Sequence, residues 1–159
     1  MKKNGALYLS HAAVIAALYV ALTYLSNMLG LWEIRFSEAL CILPYFTAAA
    51  VPGLTIGCIL ANLLTGCALW DVVFGSLATF IGAFAAHLLR KKSWLFAPWP
   101  NIIANTLVVP LILRYVYLDT SRTLPGLFAY MAVSEIVSAG VLGYMLLKAL
   151  KKHERIFQM

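Results

Sequence analysis

Residues 39–70 contain no charged side chain, yet a carboxylate stands at each edge, Glu38 and Asp71, and one amide, Asn62, lies inside the run. Hydrophobic residues make up 63% of the 159 and charged residues 11%, with a mean hydropathy of +0.88; water-soluble domains carry about 25% charged residues. The chain therefore reads as an all-α integral membrane protein, and its length fits a single domain spanning 1–159. A carboxylate inside a bilayer costs about 2.5–3.5 kcal/mol on insertion scales, so the acidic groups bordering this run are the first candidates for a solute site.

The net charge of +6 would suit a nucleic-acid partner, but the basic residues cluster at the ends of apolar spans, which points to membrane lipid and to no nucleic acid. Cys41, Cys58 and Cys67 lie in or beside apolar spans without a CxxC pair, as small packing residues do. Lys2-Lys3 followed by an apolar run imitates a signal peptide. That run is longer than the roughly 7–15 residues of a signal h-region, so it reads as an uncleaved first span.

A spanning helix needs about 20 apolar residues. On that measure six transmembrane helices are expected, at about 8–29, 37–50, 53–69, 71–89, 97–117 and 124–147, with a break at Ala50-Val51-Pro52-Gly53. Six spans put both termini on one side. Lys2, Lys3, Arg90, Lys91, Lys92, Lys148, Lys151, Lys152 and Arg155 then share that side, and the opposite side receives Arg35, Arg122 and Arg114. The positive-inside rule makes both termini cytoplasmic. Trp32, Trp70, Tyr115 and Tyr117 would lie at the outer interface, Trp94 and Trp99 at the inner one.

The chain has no GxxxxGK[ST] loop and no HExxH, and its three histidines are dispersed, so no catalytic group, metal site or cofactor is expected. The polar groups left at the outer edge or mid-depth are Glu38, Asn62, Asp71, Asn101, Asn105 and Glu135. Asn62 and Glu135 fall roughly 13 Å and 16 Å along their helices. Together such groups can line one outward-facing cavity suited to a cation or a solute rich in N–H donors. Competing roles stay open. Asp71 also suits a helix cap, Glu38 a rim pair with Arg35, and Asn62 and Asn105 hydrogen bonds between helices. Arg114 fits snorkelling toward Asp119, and His87 an interfacial position.

Helix 1 carries a small-residue face, Ala12, Ala13, Ala16, Ala17 and Ala21, which fits packing within the bundle or docking of another membrane subunit. Pro110 removes a hydrogen bond to the Thr106 carbonyl and should kink helix 5.

Several stretches resemble one family: Arg35-Phe36-Ser37-Glu38-Ala39-Leu40, Leu43-Pro44-Tyr45-Phe46, Val51-Pro52-Gly53, Ala61-Asn62-Leu63 and Asp71-Val72-Val73-Phe74-Gly75-Ser76-Leu77-Ala78-Thr79. They are similar to the QueT family, substrate-binding (S) components of energy-coupling-factor (ECF) transporters for queuosine precursors. The resemblance implies a six-helix S-component bundle in a prokaryotic-type cell membrane, non-enzymatic itself. It also implies a transmembrane coupling subunit meeting the alanine face of helix 1, and two cytoplasmic ATPases. The implied solute is a 7-deazaguanine, either the aminomethyl precursor or a related free base. Glu38, Asp71 and Glu135 would then be candidates for its guanine-like edge and its ammonium. Asn62 and Asn105 would add amide contacts, Trp70 or Trp32 could stack on the base, and Arg35 borders the same site. Two alternatives are an S component for another vitamin-like solute and a structural membrane protein that transports nothing.

Overall fold

The computed structural model describes residues 2–30 and 34–152, and among these the chain is helical with no strand. Helix α1 runs Lys2–Met28, followed by a 3-10 helix Phe36–Tyr45 and α2 at Ala50–Leu64. A π-helical turn, Asp71–Gly75, leads into α3, Ser76–Leu89. After the short 3-10 turn Trp94–Phe96 comes α4, Trp99–Tyr115. The last segment is α5, Leu124–Glu135, continued by a π-helical stretch Ile136–Leu142 and by α6, Gly143–Lys151. Four of these segments are long and apolar enough to cross a membrane: Gly5–Met28, Asp71–Leu89, Trp94–Tyr115 and Leu124–Lys151. The apolar helices Phe36–Tyr45 and Ala50–Leu64 are shorter, about 20 Å and about 22 Å at the rises of their helix types.

Two expectations for residues 37–69 are corrected. The second helix is 3-10 rather than α and ends at Tyr45. The break falls at residues 46–49, and Pro52 sits in the first turn of α2, where its missing N–H leaves no helical bond unmade. Pro110 lies inside α4, which continues through it to Tyr115.

The bundle sorts its ends by charge. Tyr8 Oη donates to the Ala48 carbonyl at 3.4 Å, and the Lys151 ammonium lies 4.6 Å from the Trp94 ring and 5.9 Å from the Tyr45 ring. The start of α1 and the end of α6 thus share one end with the basic cluster Arg90, Lys91 and Lys92 that follows α3. At that end His87 Nδ1 lies 2.8 Å from the Pro44 carbonyl, closing the 3-10 helix. At the opposite end, the Arg114 guanidinium reaches the Asp119 carbonyl at 3.0 Å.

Close approach of α1 and α2 fixes the position of the 3-10 helix. Ala12 and Ala16 are buried against Gly53 and Gly57, whereas Ala13, Ala17 and Ala21 are exposed. The small-residue face of α1 is therefore two faces, one inside the bundle and one outside. Beyond the glycines, α1 carries a buried polar stripe, Tyr19, Thr23 and Ser26, at helical spacing. Thr23 Oγ1 bonds Ser37 Oγ at 2.8 Å, and the Phe36 N–H donates to Ser26 Oγ at 2.8 Å. These bonds satisfy the entering backbone and carry Glu38 into the interior. A Cβ at Gly57 would stand 2.7 Å from Tyr19 Cβ and 3.1 Å from the Ala16 backbone. Gly57→Ala should destabilise the detergent-solubilised protein by about 1–3 kcal/mol in thermal unfolding. Gly5→Ala, in α1 where nothing lies within 4 Å, should not lower the transition and should raise it slightly, as alanine favours helix over glycine.

Candidate functional site

Glu38 is 3% exposed, and its carboxylate is surrounded by donors. Oε1 accepts from Tyr19 Oη at 2.5 Å. Oε2 accepts from Cys41 Sγ at 3.2 Å, Asn101 Nδ2 at 2.8 Å and Asn105 Nδ2 at 3.4 Å. The Cys41 contact follows from 3-10 geometry, in which residues i and i+3 eclipse. The amides come from α4, whose Asn101 reaches the site because Gly82 of α3 has no side chain: a Cβ there would meet Asn101 Cα at 2.6 Å. A rim pair of Glu38 with Arg35 is thereby replaced. Glu38 is an interior carboxylate, and Arg35 Nη1 donates instead to Asn62 Oδ1 at 3.4 Å.

Asn105 Nδ2 also lies 3.2 Å from Glu135 Oε1, so one amide links two buried carboxylates. Glu135 ends α5 at the start of the π-helical stretch, and its Oε2 has no hydrogen-bond partner among the described residues. The third carboxylate, Asp71, opens the other π-helical turn. It caps nothing. Its Oδ2 accepts from Tyr117 Oη at 3.1 Å, and the same Tyr117 oxygen accepts from the Ala68 N–H at 2.9 Å. Asn62 Nδ2 donates to the Asp71 carbonyl at 3.3 Å, tying α2 to the π turn. Gly75 leaves room beside Asp71, since a Cβ there would lie 3.2 Å from Asp71 Oδ1.

These groups line one cavity of about 290 Å³. It holds Arg35, Glu38, Asn62, Asp71, Asn105 and Glu135 of the sequence candidates, with Tyr19 and Tyr117 in addition. It reaches the end of the bundle opposite the basic clusters, where residues 65–67 and Tyr117 line it. Trp70 is not part of it: the indole is 58% exposed and stacks on Phe74 with centroids 5.7 Å apart. Trp32 lies outside the described residues. The aromatic surfaces of the cavity are those of Tyr19 and Tyr117, which sequence reasoning passed over. The helical spacing of Tyr19, Thr23 and Ser26 on an otherwise apolar helix was the available signal for the first. Tyr117 reads from sequence only as part of the interfacial belt.

Chemically, three carboxylates face one guanidinium across a small volume. Such a cavity favours an organic solute with several N–H donors or a positive charge. Among the described residues no three His, Cys, Asp or Glu side chains stand close enough to share a metal ion.

A family model described as the QueT transporter matches residues 9–152. The chain belongs to the QueT transporter family. No curated protein and no solved structure matches it. Membership makes it a membrane-embedded protein of a family of transporters, with a small molecule as its solute, and bears out the resemblance drawn from residues 35–79.

Tyr117 offers a local probe of the cavity mouth. Its phenol is pushed up from 10.0 to about 12, first by burial and then, against the Ala68 N–H that lowers it, by the Asp71 charge. A raised tyrosine value stabilises the fold fully below pH 10 and loses that contribution as pH rises through about 12. Alkaline titration followed by tyrosinate absorbance should therefore show a late ionisation near pH 12 that Tyr117→Phe abolishes.

Proposed function

We propose that this chain is the solute-binding (S) component of an ECF-type importer. It captures 7-aminomethyl-7-deazaguanine, or a related 7-deazaguanine base, from outside the cell. The observation that carries the proposal is the cavity itself, with Glu38, Asp71 and Glu135 set against Arg35 alone. A guanine-like edge presents an N–H and an amino group side by side, which one carboxylate accepts together. The aminomethyl group is a cation and calls for a second carboxylate. Arg35 complements the lactam oxygen, and the Tyr19 and Tyr117 rings offer flat apolar surface. The volume stands at the low end of the roughly 300–1,000 Å³ usual for ligand pockets, which suits a single fused ring.

In this reading the protein crosses the cell membrane six times with both termini in the cytoplasm and the cavity opening outward. The short 3-10 helix and α2 serve as crossings packed inside the bundle, where local thinning of lipid accommodates them. ATP is hydrolysed by two separate cytoplasmic ATPases. A transmembrane coupling subunit docks on the exposed face of Ala13, Ala17 and Ala21, where small side chains permit close helix contact.

Calorimetric titration of the purified protein tests the solute. Binding of 7-aminomethyl-7-deazaguanine, with riboflavin and guanine much weaker, is the expected result. Silence toward every deazaguanine in a folded sample would refute it. The docking face is tested by Ala17→Trp, which should abolish co-purification with the ATPase pair while leaving solute affinity unchanged.

A further inference from the structure

The three cavity carboxylates differ in how much of their hydrogen-bonding capacity the protein already uses. Glu38 is saturated, with Tyr19, Cys41, Asn101 and Asn105 all donating to it. Asp71 has one oxygen on Tyr117 and stands in a neighbourhood that contains a cation, because Arg35 bonds Asn62 and Asn62 in turn bonds the Asp71 carbonyl. Glu135 differs from both. It is 5% exposed, and among the described residues only the neutral amide of Asn105 donates to it and its Oε2 is buried without a partner. The same amide also holds Glu38, so two carboxylates crowd the deep part of the cavity with only neutral donors bonded to them. An unpaired buried carboxylate oxygen is costly, and what relieves the cost most is a desolvated cation carrying its own N–H groups.

We infer that Glu135 is the residue that receives the ammonium of the solute, that Asp71 with Arg35 reads the guanine-like edge, and that Glu38 is a positioning residue that does not touch the solute. This inference rests on the deazaguanine reading above. It divides the chemistry by location. The charged substituent goes to the part of the cavity where two carboxylates are bonded by neutral donors and one oxygen is left open, and the lactam edge goes where a carboxylate and a guanidinium lie near each other. It also gives Glu38 a role of its own, since it orients the Asn105 amide that holds Glu135.

The test compares two solutes of the same shape, 7-aminomethyl-7-deazaguanine and its neutral counterpart 7-hydroxymethyl-7-deazaguanine, by calorimetry on the full chain. Wild type should prefer the ammonium by about tenfold or more, the worth of a hydrogen-bonded charge. Glu135→Gln should erase the preference by weakening the aminomethyl solute alone, and Glu135→Asp, which keeps the charge, should retain part of it. Asp71→Asn should weaken both solutes by similar factors, leaving the preference intact, whereas Glu38→Gln should reduce the preference in part, because Glu38 acts through the Asn105 amide that holds Glu135. Thermal unfolding of each variant confirms that it is folded. A preference that survives Glu135→Gln, or one that Asp71→Asn removes, would overturn this assignment while leaving the importer reading standing. Failure of both solutes to bind folded wild type would overturn the two together.

Discussion

A carboxylate sealed inside an apolar bundle has to be satisfied by the protein around it, and Glu38 is that group here. Its ligands arrive from α1, from its own 3-10 helix and from α4. A hydrogen bond to a charged group contributes about 1.5–3 kcal/mol, more than most single contacts between apolar side chains. The packing that looks incidental follows from this requirement. Gly53 and Gly57 let α1 approach α2, Gly82 lets α4 approach α3, and the result is that Tyr19 and Asn101 converge on one pair of oxygens. The cavity is the space beside that hub, and its remaining carboxylates are those the hub does not use.

The irregular parts of the backbone coincide with the polar groups. Glu38 lies on a 3-10 helix, Asp71 opens one π-helical turn, and Glu135 immediately precedes another. Wide or tight helical turns are less favourable than α geometry, and they recur at functional sites because they redirect a side chain that a regular helix would point elsewhere. In this chain each of the three carboxylates needed such a redirection to face the same volume from a different element. The cavity is thus assembled by departures from regular structure on a frame that is otherwise close-packed helix.

Much of this was legible in the sequence, for a definite reason. The cost of polar groups in lipid makes Glu38, Asn62, Asp71, Asn105 and Glu135 conspicuous wherever they occur in an apolar run, and the cavity gathers all five. Helix ends were legible where charge or proline marks them, as at Arg90 and Leu124. What hydropathy cannot convey is direction, because a helix that is apolar all round has no periodic face to read. Trp70 therefore looked like a stacking platform although it faces outward, and the alanines of α1 looked like one surface although Ala12 and Ala16 turn inward. The 3-10 form of residues 36–45 was hidden for a similar reason. It is fastened by hydrogen bonds to Ser26, Thr23 and His87 on α1 and α3, contacts that the local sequence does not reveal.

The most direct measurement is an experimental structure of the protein with 7-aminomethyl-7-deazaguanine bound. Solute density is expected between Asp71 and Glu135, with the Glu38 carboxylate still held by Tyr19, Asn101 and Asn105. Density outside this cavity, or solute bonded to a Glu38 that has released those partners, would contradict it.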